Sequence, residues 1–252
     1  MKKIIIASAI AGIFAGQAAY AADAAPAPDH AVSFNVGVTN DYRFRGISQT
    51  RMKPAVSAGA DYTNNPTGLY VGTWASNVEW LKDNTGDLSD ASLELDLYGG
   101  KRGEINGVSY DVGLIRYYYP SNKFHLASLP SANTTEAYGQ LGYGPAYIKY
   151  SQSLTNFIGW GEGTDGSNYI DIGANQEIKD GYILNLHYGK QVVKNLSEAD
   201  YSDWKVGVTK DFGLAVVAVS VVGTDADKTT YDFGTKGYLG GTAGVVTVTK
   251  TF

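Results

Sequence analysis

The sequence predicts an all-β fold: a transmembrane antiparallel β-barrel of about 12 strands, with short turns at one end and longer loops at the other. Three observations carry this. Segments of about ten residues alternate apolar and polar side chains with the two-residue period of a strand. The connections between them alternate in length, long then short, along the chain. The number of segments is even, so both chain ends fall on one rim.

The elements follow in order. Segment 31–45 sets Val32, Phe34, Val36 and Val38 against Ser33, Asn35, Gly37, Thr39 and Asp41. Segment 53–63 sets Val56, Ala58, Ala60 and Tyr62 against Ser57, Gly59 and Asp61, and residues 64–68 make a tight turn. Segment 69–80 carries Tyr70, Trp74, Val78 and Trp80 on one side. A longer polar loop, 81–90, follows it. Its Asp83 and Asp87 read as loop residues rather than as a calcium site. Segment 91–101 alternates most cleanly, with Leu93, Leu95 and Leu97 opposite Ser92, Glu94, Asp96 and Tyr98. Asn106-Gly107 is a hairpin signal, and segment 108–119 sets Val108, Tyr110, Val112, Leu114 and Tyr118 against Ser109, Asp111 and Gly113.

After a long loop at 120–134, segments 135–142 and 146–153 join around Gly144-Pro145 and alternate less well. A Gly-rich loop at 154–167 leads to segment 168–178, with Ile170, Ile172 and Ala174 against Asp171, Gly173, Asn175 and Glu177. The turn Lys179-Asp180-Gly181 leads to segment 182–191. Its Tyr182, Leu184, Leu186 and Tyr188 oppose Asn185, His187 and Gly189. Segment 201–211 sets Trp204, Val206 and Val208 against Lys205, Gly207 and Thr209. Segment 214–223 is too uniformly apolar to phase, and segment 237–252 places Val246, Val248 and Phe252 on one face.

Ahead of the strands, residues 1–21 have the layout of a secretory leader. Lys2 and Lys3 precede an apolar run, and Ala19-Tyr20-Ala21 is a small-x-small cleavage site. Residues 22–30 read as a periplasmic linker and 31–252 as the barrel. The 252 residues include 31 Gly, 19 Tyr, 8 Phe and no Cys, a composition suited to strands and turns without disulfides or thiolate metal sites. Removing the leader takes the formal net charge from −5 to about −7, which argues against a nucleic-acid partner.

Alternation alone does not decide which face is wet, since a soluble barrel would turn the apolar side inward. Segment length suits a tilted crossing. Tyr42, Phe44, Trp74, Trp80, Tyr118, Tyr182, Tyr188 and Trp204, near segment ends, fit interfacial girdles. The C-terminal strand ending on Phe252 resembles the assembly signal of bacterial outer-membrane barrels, with Lys250 as a departure from it. Phe34-Asn-Val-Gly-Val-Thr-Asn-Asp-Tyr-Arg-Phe-Arg-Gly-Ile-Ser-Gln49, Leu69-Tyr-Val-Gly-Thr-Trp-Ala-Ser-Asn-Val78, Leu93-Glu-Leu-Asp-Leu-Tyr-Gly-Gly100 and Tyr110-Asp-Val-Gly113, with the ending 246–252, resemble the TorF porin family. That family is also known as the uncharacterised bacterial family Gcw_chp. The resemblance implies the bacterial outer membrane, with lipid, lipopolysaccharide and the barrel-assembly machinery as partners, and passive passage of small solutes.

If the polar face lines a pore, its charges are the functional residues: Asp41, Arg43, Arg45, Asp61, Glu94, Asp96, Asp111, Lys149, Asp171, Glu177, His187 and Lys205. Their acidic balance would favour neutral or cationic small solutes. Alternatively they pair across the lumen and fill it. Arg43 and Arg45 are placed to form a constriction with Asp41 and Asp61, to hold the loop 46–53 inside the pore, or to make simple strand-end ion pairs. A plugged structural or adhesive barrel is the second reading, with Tyr98, Tyr138 and Tyr147 directed inward. Three His (His30, His125 and His187), without a Ser nucleophile motif, lead to the expectation of no enzyme, no cofactor and no metal.

Overall fold

The computed structural model describes residues 28–85, 91–232 and 237–252. The expected leader, linker residues 22–27 and Asp87 of the second long loop lie outside the described residues. Twelve strands close into one antiparallel barrel. They are β1 His30–Thr39, β2 Ala55–Asn64, β3 Leu69–Asn77, β4 Leu93–Ile105, β5 Val108–Tyr118, β6 Thr134–Tyr143, β7 Ala146–Ser153, β8 Asn168–Lys179, β9 Tyr182–Val192, β10 Tyr201–Asp211, β11 Val216–Thr224 and β12 Ala243–Thr251. Each pairs with its sequence neighbours. β1 closes on β12 from Asn35 opposite Thr251 to Thr39 opposite Thr247. Phe34 and Phe252 extend the seam, each N–H donating to the other's carbonyl at 3.1 and 2.8 Å.

The tight turns gather at one rim. Asn106 and Gly107 both take positive φ, 53° and 83°, the two-residue hairpin geometry that matches strand twist. At the other rim, the described parts of the connections, 40–54, 78–85, 91–92, 119–133, 154–167, 193–200, 225–232 and 237–242, fold over the mouth. Among the described residues they carry a helix α1 (Trp80–Asn84), two short 3-10 turns and a ribbon pairing Arg43–Phe44 with Ile47–Ser48.

The aliphatic side of the strands faces out. Leu97 is 50% and Val206 48% exposed, whereas Glu94 on the strand of Leu97 and Asp203 on the strand of Val206 are 1% and 2% exposed. The barrel is therefore inside-out relative to a soluble one. Its charged and Tyr-rich face is the packed interior.

The structure corrects three expectations. The first strand ends at Thr39, and all of residues 41–50 are buried, because the chain turns inward there. Asn40 ends the strand by donating its Nδ2–H to the Gly244 carbonyl (3.1 Å). The phase of the third segment is reversed. Tyr70 and Trp74 point into the lumen, and Leu69 and Val71 point outward. Tyr and Trp carry polar tips and can serve an interior, so their apolar bulk misled the assignment. Four of the eight expected girdle residues, Tyr42, Phe44, Trp74 and Trp80, are accordingly buried, whereas Tyr118, Tyr182, Tyr188 and Trp204 are exposed on the outer wall. β11, which polarity could not phase, sets Val219 and Val221 outward and Val222 inward.

Candidate functional site in the barrel lumen

The segment 41–50 is the central feature of the lumen. Arg45 and Gly46 reverse the chain with φ of 46° and 81°. Gly46 is required by space as well, since a Cβ there would stand 2.5 Å from Thr224 Cγ2 and 2.7 Å from Asp203 Cβ. At the neck of this turn, Arg43 Nε donates to Asp41 Oδ2 (2.7 Å). Arg43 Nη1 donates to the carbonyls of Gly46 (2.9 Å) and Gly241 (2.7 Å). Ser48 Oγ donates to the other Asp41 oxygen at 2.6 Å. Asp41 and Arg43 thus tie the inserted segment to itself and to the last loop.

Arg45 reaches across the barrel. Its Nη1 donates to Gln191 Oε1 and its Nη2 to Glu136 Oε2, both at 2.6 Å. Its guanidinium lies 4.7 Å from the Phe44 ring centre and 4.3 Å from that of Tyr169. Burial opposes the guanidinium charge, but the Glu136 carboxylate beside it outweighs that and raises the Arg45 pKa above its ordinary value. Neither arginine contacts Asp61, which instead accepts the Tyr98 hydroxyl at 2.7 Å.

Beneath the segment, Glu94 accepts the Tyr42 hydroxyl at 2.6 Å. Burial, helped by the Glu94 charge, pushes the Tyr42 hydroxyl well above its ordinary pKa. Asp96 and Glu136 are further carboxylates of this interior, 5% and 1% exposed. One oxygen of each of the three (Glu94 Oε2, Asp96 Oδ1 and Glu136 Oε1) is buried without a hydrogen-bond partner.

A second row crosses the wall through the strand register: Arg102, Asp111, Gln140, Lys149 and Asp171 lie on successive strands. Asp111 accepts the Tyr70 hydroxyl at 2.6 Å, and Tyr70 pairs in turn with the Tyr138 hydroxyl. Lys149 Nζ sits 4.3 Å from the Tyr138 ring centre. His187 stands between two carboxylates, Nδ1 at 2.8 Å from Asp171 and Nε2 at 2.7 Å from Asp203, with the Tyr169 hydroxyl donating to Asp203 at 2.8 Å. Lys205 is the register neighbour of His187. Glu177 does not join this interior. It is exposed at the β8–β9 turn, where its carboxylate accepts the Gly181 N–H at 2.9 Å.

The residues missing from the sequence reading are Glu136, Gln191, Tyr169 and Asp203. Asp203 shares the phase of Lys205 two positions on, so its inward direction was available. Glu136 lies in a segment whose alternation is blurred by Gly and Tyr. At the loop rim a cavity of ≈ 60 Å³ is lined mainly by Phe44, Ile47, Trp80, Phe157, Trp160 and Tyr231, with Ser48, Gln49 and Asn84 as polar members.

Residues 23–252 match the family model described as "Bacterial protein of unknown function (Gcw_chp)". No curated protein matches the chain. Among solved structures, a chain from a study of the in-meso crystallization of membrane proteins is similar at TM-score 0.49 and 7% identity, over 88% of this chain and 83% of that one. LpxR from Salmonella typhimurium is similar at 0.42 and 11%, over 87% and 99%. OccAB1 from Acinetobacter baumannii is similar at 0.41 and 13%, over 84% and 59%. The expectation that this chain is no enzyme is corrected at this point. LpxR is a lipid A deacylase, so barrels among these matches include an enzyme. His187, whose pairing with Asp171 on the adjacent strand reads from the sequence as a lumen hydrogen bond, has Asp203 as a second carboxylate partner.

Proposed function

The chain belongs to the Gcw_chp family of bacterial proteins of unknown function, and we propose that it is a narrow outer-membrane channel for small polar solutes. The observation that carries this reading is the pairing of an apolar outer wall with a charged interior in a closed barrel. An aliphatic exterior is stable against lipid, and a closed barrel leaves no unpaired strand edge in it. The leader-like residues 1–21 and the exposed Val246, Val248 and Phe252 at the closing seam support export and hand-over to a barrel-assembly machinery. Tyr118, Tyr182, Tyr188 and Trp204 serve the interfacial girdles in this reading, and basic side chains of the loop rim meet lipopolysaccharide phosphates.

Within this reading, segment 41–50 is the constriction. The bore is set by the insert, whose residues Asp41 to Gln49 are part of the first motif that resembles the TorF porins. Glu94, Asp96 and Glu136, set against Arg45, bias the passage toward neutral and cationic solutes. Single-channel recording of the refolded protein in a planar bilayer under a salt gradient tests it. Small discrete steps with cation preference are expected, and a reversal potential of anionic sign overturns the selectivity. A second reading, a plugged structural or adhesive barrel, is favoured by the complete burial of residues 41–50 and the pairing of their charges. It is the outcome if neither the native protein nor a variant lacking the insert conducts.

A further inference from the structure

The two halves of the barrel interior differ in bulk. Over β3 to β10 the inward positions carry large side chains such as Tyr70, Trp74, Tyr98, Tyr138 and Tyr169, all buried. Strands β11, β12, β1 and β2 lie side by side across the seam. Their inward positions carry Ser, Thr, Ala, Gly, Asn and Val, and Asp61 is the one charged inward residue among them.

The two halves also differ in exposure, and residue type is not the cause, because hydroxyl residues occur in both. Ser33, Ser57, Ser220, Thr39 and Thr247, inward on the seam side, are partly exposed. Ser76, Ser151, Ser153 and Thr209, inward on the other side, are 3%, 4%, 1% and 3% exposed. A close-packed interior excludes solvent, so the open volume lies against the seam wall.

The insert 41–50 leaves this side free. Across the lumen it reaches for the packed half, with Tyr42 bonded to Glu94 on β4 and Arg45 to Glu136 on β6 and Gln191 on β9. Its tip, Gly46, stops against Asp203 of β10 and Thr224 at the loop end of β11. On β12 the partial exposure runs through Ala243, Val245 and Thr247, and Thr249, at 6%, interrupts it. The Thr247 hydroxyl donates to that of Thr39 at 3.1 Å. A wall of hydroxyls exchanges hydrogen bonds with uncharged polar solutes and gives an ion no counter-charge.

We propose that solute crosses the barrel off-centre, along the hydroxyl-lined wall of β11, β12, β1 and β2, and that this route favours small uncharged hydrogen-bonding solutes such as polyols. The insert bounds the route, and Thr249 is its tightest point on the wall. The proposal deepens the channel reading and rests on it for passage. The position of the open volume stands without it.

The chain has no Cys, so single thiols report where the interior is open. The test uses Ser220→Cys and Thr247→Cys on the seam side, with Ser151→Cys and Thr209→Cys on the packed side, each refolded into lipid vesicles. Heat-modifiable gel mobility establishes that each variant is folded. N-ethylmaleimide, an uncharged reagent, is expected to modify the first two about tenfold or more faster than the last two, each rate taken relative to the same variant unfolded in urea. The adduct at Thr247→Cys is expected to lower single-channel conductance and glycerol-driven vesicle swelling by about half or more. Ser151→Cys treated in the same way keeps both. Glycerol is expected to enter faster than its ammonium analogue, 3-amino-1,2-propanediol. Equal modification in the two halves, faster modification on the packed side, conductance untouched by a complete adduct at Thr247→Cys, or faster entry of the ammonium analogue overturns the proposal. Unequal modification of a barrel that neither conducts nor swells removes the channel reading and keeps the off-centre opening.

Discussion

Arg45 is the residue on which insertion of segment 41–50 depends, and its loss should release the segment without dissolving the barrel. In Arg45→Met, Glu136 loses its cation at 2.6 Å, and both side chains sit in the interior at 6% and 1% exposure. Breaking a buried pair from one side costs roughly 3–5 kcal/mol, because the remaining charge stays buried. The hydrogen bond to Gln191 adds about 1 kcal/mol. Contacts of the guanidinium with Phe44 and Tyr169 are partly kept by the thioether. The strands hold together through their own ladders, so the penalty falls on the equilibrium between inserted and released segment.

At about 1.4 kcal/mol per tenfold, a total of roughly 4–6 kcal/mol means that amides holding the segment in place should lose protection by roughly seven-hundred- to twenty-thousand-fold. The Ser48 N–H, donated to the Leu239 carbonyl at 3.0 Å, and the Gln49 N–H, donated to the Tyr42 carbonyl at 2.7 Å, are the reporters. Hydrogen exchange read by mass spectrometry on peptides covering 41–50 measures this, with β8–β9 peptides as the internal control. Glu136→Gln in the Arg45→Met background should restore much of the protection, since the stranded charge is gone. Unchanged protection in Arg45→Met, or a double variant that is worse than the single one, would refute the reasoning.

The remaining predictions concern the wall, the turn and the seam. Leu97→Arg places a guanidinium on the outer face in mid-strand and should cost about 2–4 kcal/mol in urea unfolding from lipid vesicles. A null effect there would mean that this face meets water. Gly46→Ala should displace the insert, since its Cβ meets Thr224 and Asp203 and its φ is strained for Ala; faster tryptic cleavage at Arg51 in the folded barrel is the readout. Deleting Phe252 removes two seam hydrogen bonds with Phe34 and the exposed terminal ring, and should lower the yield of heat-modifiable barrel in vesicles; full folding at native rate counts against a role in assembly.

The wall of this barrel was legible because its grammar is local. A two-residue period, Asn-Gly and Asp-Gly turns and alternating connection lengths each report on neighbours in sequence, and most strand bounds fall within two residues of the expected ones. Segment 69–80 shows where the grammar fails. Tyr70 and Trp74 read as the apolar face by bulk, yet the Tyr70 hydroxyl meets Asp111, which lies forty-one positions on. Large amphipathic rings suit a girdle and an interior equally well, and only the partner across the lumen decides.

The interior was illegible for a related reason. Partners such as Arg45 with Glu136, or His187 with Asp203, are set by strand stagger and by the path of a loop, and neither leaves a periodic trace. An inside-out barrel must fill its centre with groups that lipid rejects, so each charge there requires a partner that sequence distance hides. The loop cap has the opposite character. Val78, Leu81, Phe124, Ala132, Ala199 and Leu239 are buried as in a soluble protein, although they sit in stretches that lack strand periodicity. Two kinds of order therefore meet at segment 41–50: the ladder-held wall, and a loop core joined to it through a few charged contacts. A perturbation of those contacts should act on the bore before it acts on the barrel. That separation is why the protection of the segment, and not the melting of the strands, is the measurement with the power to tell an adjustable constriction from a permanent plug.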